Sequence, residues 1–260
     1  MKKILLLAIL FSELCFANNS NVECSGTGLY FFPIESEISL NSKFIIEGYA
    51  FSQKTINNLK HKNVYLEDYN KNKIELEIIE ILKGEMEITQ AILKPKHQLL
   101  PNTTYFLKIS ELNEIDENNL YKWNSITNKR EPIFWKTKDV VYNNLLNENL
   151  ELEYYKDEAT LYGCGPAVYS VFKIKNADKN EIWYKTEVVN IKTNRKTTYI
   201  LVSKDEKLNV GHGMCAGAFT FSDHGKYKVR FLPMNKDGKI NKPTRWITIK
   251  NPNNEKAYGF

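Results

Sequence analysis

Leu93-Lys94-Pro95-Lys96-His97-Gln98-Leu99-Leu100-Pro101-Asn102-Thr103-Thr104-Tyr105 is the stretch that decides the fold. One apolar run ends at Leu93, two prolines follow, and a second apolar run opens at Tyr105. Proline cannot donate to a β-ladder, so Pro95 and Pro101 suit a connection that leaves one sheet and enters another. Tyr105 is placed to bury its ring and turn its hydroxyl back onto the loop. The stretch therefore predicts a crossing between two packed sheets.

Outward from it lie short runs rich in β-branched and aromatic residues: Leu29–Phe32, Lys43–Phe51, Val64–Asp68, Ile74–Leu82, Met86–Leu93, Tyr105–Ile109 and Ile133–Thr137. Asn, Asp, Gly, Lys and Pro clusters separate them. In Phe44–Tyr49, Phe44, Ile46 and Gly48 fall on one side and Ile45, Glu47 and Tyr49 on the other, the period-two alternation of a strand. Residues 111–130 are polar and read as a long loop carrying Trp123. A second series follows: Leu150–Tyr155, Val168–Lys175, Ile182–Val189, Thr197–Ser203, Ala218–Phe221, Tyr227–Leu232 and Trp246–Lys250, with an Asp237-Gly238 turn before the last. Tyr142, Leu145, Leu146 and Leu150 have the spacing of a short linker helix; no longer amphipathic helix stands out. The chain thus predicts an all-β protein of two tandem β-sandwiches at 26–139 and 150–252, joined by a linker at 140–149 and ending in a tail at 253–260.

The stretch from Leu93 to Tyr105 resembles the L-x-P-x-x-x-L-x-P-x-T-x-Y segment of bacterial Ig-like domains of cell-surface proteins. Pro33 followed by the strand at Lys43–Phe51, and the closing Trp135-Lys136-Thr137, fit the same pattern. The resemblance covers roughly residues 26–138 and implies an Ig-like sandwich with Tyr105 as its tyrosine corner. Gly225-Lys226-Tyr227-Lys228-Val229-Arg230-Phe231, followed by Asn235-x-Asp237-Gly238, resembles more weakly the late hairpin of fibronectin-like and Ig-like domains. Such modules host many roles, so the resemblance implies a fold and leaves function open.

The N-terminus, MKKILLLAILFSELCFA over residues 1–17, has a basic start, an apolar run and a small-x-small end. It reads as a secretory signal peptide, too short to span a membrane, with a flexible polar segment at 18–25 behind it. No second hydrophobic span follows, so a transmembrane mature protein is not expected. Leu14 stands where a lipoprotein signal needs a small residue, which argues against lipidation of Cys15. Losing Lys2, Lys3 and Glu13 takes the net charge from +5 to +4. That surplus gives no case for nucleic acid but allows attraction to an acidic envelope surface. The abundance of Asn, Lys and Ile reads as the usage of an AT-rich bacterium.

Export changes how the remaining cysteines, Cys24, Cys164 and Cys215, are read. Three cannot all pair within one chain. Cys164 and Cys215, 51 positions apart in one expected sandwich, are the expected bridge, which would contribute on the order of 4 kcal/mol in the chain-entropy model. One difficulty attends it. If Ala218–Phe221 is strand E, Cys164 precedes strand B and Cys215 precedes strand E. Those strands are antiparallel, which sets the two cysteines at opposite ends of the sandwich.

Two segments raise the question of chemistry. Cys164-Gly165-Pro166-Ala167 resembles the nucleophile box of some papain-like cysteine peptidases, which would make His212 the base and Asp223 its orienter. Against it, the family sets its cysteine at a helix N-terminus, whereas Val168–Ile174 reads as a strand, and residues 151–163 hold no glutamine for an oxyanion hole. Val210–Ala218 surrounds His212 and Cys215 with glycine and alanine. As metal ligands the two, even with His224, fall short of the four a structural zinc takes, so no metal or other cofactor is expected. Of the tryptophans, Trp135, Trp183 and Trp246 are expected in cores, and Trp123 at an interface. His61 and His97 read as solvated, and the Asn102-Thr103-Thr104 sequon carries little weight in a bacterial chain. HExxH, GxSxG, Walker, Rossmann and EF-hand patterns are absent.

The sequence therefore predicts an exported, non-enzymatic binding, adhesion or structural module, in the periplasm or on the cell surface, whose partner is a protein or a glycan. Loop residues including Trp123 and His212 are the candidate contacts. The rival is an exported thiol peptidase using Cys164 and His212.

Overall fold

The computed structural model describes residues 27–139, 147, 149–163, 165–177, 180–222 and 225–253. The signal peptide, Cys15, Cys24, Cys164, Asp223, His224 and the linker positions Tyr142, Leu145 and Leu146 lie outside the described residues.

The chain is mostly β. In the N-terminal half, β1 (Gly28–Phe32), β3 (Phe44–Tyr49), β6 (Ile88–Pro95) and β5 (Lys73–Lys83) run antiparallel in that spatial order. β5 belongs to both layers: Lys73–Glu75 pair with β4 (Val64–Asp68), whereas the residues from Leu76 onward pair with β6. From β4 the ladder continues through β7 (Thr104–Ile109) to β10 (Phe134–Thr137), and β2 (Glu37–Ile38) adds a short parallel pair at its edge. The core between the layers holds Phe31, Phe44, Ile46 and Leu93 from one side and Leu66, Tyr105, Leu107 and Trp135 from the other. Each such side chain contributes about 1.5–3 kcal/mol on leaving water.

In the C-terminal half, β11 (Glu151–Tyr162), β12 (Gly165–Lys175) and β15 (Lys207–His212) form one sheet. The other runs β14 (Lys196–Val202), β13 (Ile182–Asn190), β16 (Lys226–Asn235), β17 (Ile247–Lys250). Phe172, Tyr184, Val188, Leu208, Val210 and Phe231 pack together between them.

The halves meet across a third apolar cluster. Ile45, Leu82 and Ile92 of the first half pack with Trp183, Ile200 and Met234 of the second. β3 is therefore buried on both faces: Phe44 and Ile46 point into the first core and Ile45 into the junction. Polar contacts reinforce it. The Glu181 carboxylate accepts the N–H groups of Ile34 and Glu35 at 2.8 and 3.0 Å and the Trp183 indole N–H at 2.8 Å. Lys236 pairs with Glu35, and Lys185 with Glu80 at 2.7 Å.

Three expectations need correction. Ala218–Phe221 is not a strand; the strand in that part of the chain is β15. Phe219 and Phe221 instead stack edge-on with Tyr227, so their apolar character marks packing rather than a ladder. The polar stretch 111–130 is not all loop. It carries a helix α2 (Glu114–Asn118), capped by the Asn113 side chain, then β8 (Tyr121–Asn124), which pairs with β9 (Lys129–Pro132). A short helix α1 (Gln53–Asn57) also interrupts the strands. Trp246 is 41% exposed rather than core, with the Arg230 guanidinium 4.5 Å from its ring centroid; Trp135 and Trp183 are buried as expected.

Candidate functional site

Trp123 stands on β8, in a two-stranded hairpin separate from the larger sheets. With the turn at 33–36 and the start of β10, the hairpin walls a cleft of about 320 Å³ whose lining includes Ile34, Lys122, Trp123, Ile126 and Phe134. The cleft's floor is fixed by Trp135, whose indole N–H donates to the Pro33 carbonyl at 2.9 Å. Its rim is apolar and exposed: Ile126 by 94%, Trp123 and Ile34 by 61% each, Phe134 by 40%. Phe134 continues across the sheet to Phe106 and Tyr69, with successive ring centroids 6.3 and 5.0 Å apart.

The hairpin apex is held by polar groups. Asn124 Oδ1 accepts the N–H groups of Ile126 and Thr127 at 2.9 and 3.3 Å, an Asx turn. Asn124 Nδ2 and the Thr127 hydroxyl then donate to the two oxygens of Glu131 at 2.8 and 2.6 Å. Those bonds, from Asn124 first and Thr127 second, hold the Glu131 carboxyl below its usual range. Arg130 donates to the carbonyl and the side-chain oxygen of Asn118 at 2.6 and 3.2 Å, tying the hairpin to the end of α2. Lys122 makes no ion pair among the described residues. The site thus combines a fixed backbone, exposed apolar side chains and uncommitted positive charge.

His212 lies elsewhere, at the end of β15, opposite Val168 of β12. It is buried, and Nδ1 is 2.9 Å from the Gly213 carbonyl oxygen. The glycine-rich segment after it seats against the N-terminal half: Gly217 N–H donates to the Met86 carbonyl at 2.9 Å, and Glu85 N–H to that of Ala218 at 3.0 Å. A Cβ on Gly217 would overlap His212, so this close approach requires glycine. Gly165 opens a strand and not a helix. Cys215 has a partner and follows β15 instead of preceding a strand, so the expected clash of strand directions disappears. Among the described residues no group of three or more His, Cys, Asp or Glu side chains could hold a metal, and no helix is long and apolar enough to cross a membrane.

Trp123 and His212 are therefore not brought into one site. Sequence reasoning found Trp123 but missed Ile126, Ile34 and Phe134. The available signal was Ile126 itself, a lone large aliphatic residue among Asn124, Ser125, Thr127 and Asn128, where a turn ordinarily carries polar side chains.

No family model matches the chain, and no curated protein matches it. Among solved structures, it is similar to a pullulanase from Anoxybacillus sp. LM18-11 complexed with maltotriose (9% identity, TM-score 0.24, covering 82% of this chain and 24% of that one). It is likewise similar to the type I pullulanase of Bacillus subtilis str. 168 complexed with maltose (13%, TM-score 0.25, 82% and 24%) and to a cytokine receptor complex (6%, TM-score 0.26, 88% and 99%). The chain spans about a quarter of the length of the pullulanases. At these scores the likenesses carry nothing about activity or ligand.

Proposed function

We propose that this chain is an exported, non-catalytic binding module of the bacterial cell envelope, built from two tandem sandwiches of Ig-like and fibronectin-like type. The sandwich reading draws on strand order: β11-β12-β15 packs over β14-β13-β16-β17, three strands over four. Export draws on the N-terminal sequence. The observation that carries binding is the cleft beside Trp123: a fixed hairpin presents Trp123, Ile126, Ile34 and Phe134 to solvent at a cost already met in folding. A thiol peptidase draws little support, since Gly165 begins a strand and His212 Nδ1 is directed at its neighbour's carbonyl. The test is cosedimentation of the full chain with isolated envelope fragments. Trp123→Ala combined with Phe134→Ala should weaken the association by about tenfold or more, the effect of losing an anchor worth at least 1.4 kcal/mol. Equal sedimentation of the two proteins would overturn the reading.

A further inference from the structure

We infer that the β8–β9 hairpin docks on an anionic lipid surface, with Ile126 and Trp123 entering the headgroup boundary. This rests on the reading of the cleft as a docking surface and names its partner.

Three features favour a bilayer over a protein or a glycan. First, the most exposed large apolar side chain among the described residues is at the apex. Ile126 is 94% exposed, and the Asx turn on Asn124 holds its backbone. A pocket for a defined ligand would enclose its aliphatic groups; here the aliphatic group stands on the rim of the cleft, almost wholly open to solvent. Second, the apolar set is amphipathic in the manner of interfacial segments. Tyr121 and Trp123 alternate with Lys122 and Asn124 along β8, and Trp and Tyr rings with long basic side chains are the residues that settle at the headgroup level. Third, the charge is complementary. Lys122, Lys129 and Arg130 stand in the hairpin against one carboxylate, Glu131, and that carboxylate is already occupied by Asn124 and Thr127. Positive side chains near an anionic leaflet each strengthen binding several-fold at low salt, and the effect decays within a Debye length.

The fixed apex matters for affinity. A flexible loop would lose conformational freedom on insertion, whereas this one is ordered by six hydrogen bonds involving Asn124, Thr127, Glu131 and Arg130 before any membrane is met.

The experiment is flotation of the full chain with phosphatidylcholine vesicles, with and without phosphatidylglycerol, while tryptophan emission is followed. Binding to the phosphatidylglycerol vesicles alone is expected. It should fall at least tenfold in high salt and at least tenfold in Ile126→Ser, and a blue shift should vanish in Trp123→Phe. Trp135 and Trp183 are buried, and both proteins carry Trp246→Phe to remove the other exposed indole, so the shift reports Trp123 alone. Binding to both vesicle types alike, or binding indifferent to Ile126→Ser, would overturn the inference. So would no vesicle binding at all. In that case Trp123→Ala with Phe134→Ala separates the two readings: if the pair of substitutions still abolishes association with envelope fragments, the binding module stands and its partner is a protein or a glycan. If that association is also unaffected, both readings fall.

Discussion

The Gln90 side chain treats Ile200 as a neighbouring strand would: Oε1 accepts the Ile200 N–H at 2.7 Å and Nε2 donates to the Ile200 carbonyl at 2.9 Å. One side chain thus satisfies both backbone groups of a residue in the other half of the molecule, beside the apolar cluster of Ile45, Ile92 and Trp183. Gln90→Ala would leave both groups unpaired in a buried place. It should cost about 1–3 kcal/mol in urea unfolding, the price of a buried group without a partner. A loss under about 0.5 kcal/mol would mean that water substitutes freely there.

Gln90 also donates to Glu47 Oε2 at 2.7 Å, and from Glu47 follows a pH dependence. Burial pushes the Glu47 carboxyl up against the opposing effect of that bond. The folded state therefore holds its proton to higher pH than the unfolded chain, and stability declines as pH rises from about 4.3 through the raised value. Glu187 has the opposite sign: desolvation raises it, but Lys196 and then Arg230 outweigh this and hold it low. Its contribution is present above the unfolded value and is lost as pH falls through the folded one. Melting temperatures across pH should show Glu47→Gln removing the decline on the rising side. Glu187→Gln should lower the melting temperature at neutral pH, and the difference from the parent should shrink only as pH falls below the unfolded value and through the lowered folded one. The same pH profile for both variants would contradict these assignments.

Tyr105 and Tyr227 show what the sequence discloses and what it conceals. Each phenol oxygen accepts a backbone N–H from five residues upstream, Leu100 at 2.9 Å and Ser222 at 3.1 Å. The first was legible because Pro95 and Pro101 announce a sheet crossing, after which the Tyr105 hydroxyl turns back onto the loop and accepts the Leu100 N–H. The second was hidden because Ala218–Phe221 has strand-like composition. β15, Lys-Leu-Asn-Val-Gly-His, is the true strand, but its alternation rests on only Leu208, Val210 and His212. Composition registers apolar residues and not whether they pair. The hairpin was illegible for a related reason: β8 and β9 carry polar residues because neither face lies in a core. Removing either hydroxyl, as Tyr105→Phe or Tyr227→Phe, should cost about 1 kcal/mol in denaturant unfolding. A neutral effect at Tyr227 alone would mark that corner as dispensable.

Glycine is required at 211 and tolerated for no visible reason at 163. Gly211 has φ +147°, and a Cβ there would overlap the Val168 carbonyl oxygen, whereas a Cβ on Gly163 would meet nothing within 4 Å. Gly211→Ala must therefore part β12 from β15 or distort both. We expect a loss of about 2–4 kcal/mol, a size reached when backbone strain and core displacement combine. Gly163→Ala should change stability by under about 0.5 kcal/mol. Thermal unfolding of the pair provides the comparison, and similar melting temperatures would show that the strands separate at little cost.

The segments flanking the proposed Cys164–Cys215 bridge adjoin. Val168 stands opposite His212, and a Cβ built on Gly165 would lie 3.8 Å from the Met214 carbonyl oxygen. The loop leaving β15 therefore turns back beside the start of β12, and a bridge needs Cα atoms about 7 Å apart or less. Both thiols should resist alkylation in the native protein and react only after reduction. Replacing both by serine should cost about 2–5 kcal/mol while leaving the sheets in place. The same labelling decides against the rival chemistry, because a peptidase nucleophile at 164 would have to be a low-pKa, accessible thiolate. Rapid alkylation of Cys164 at neutral pH without reductant would refute the bridge and return the thiol peptidase to consideration.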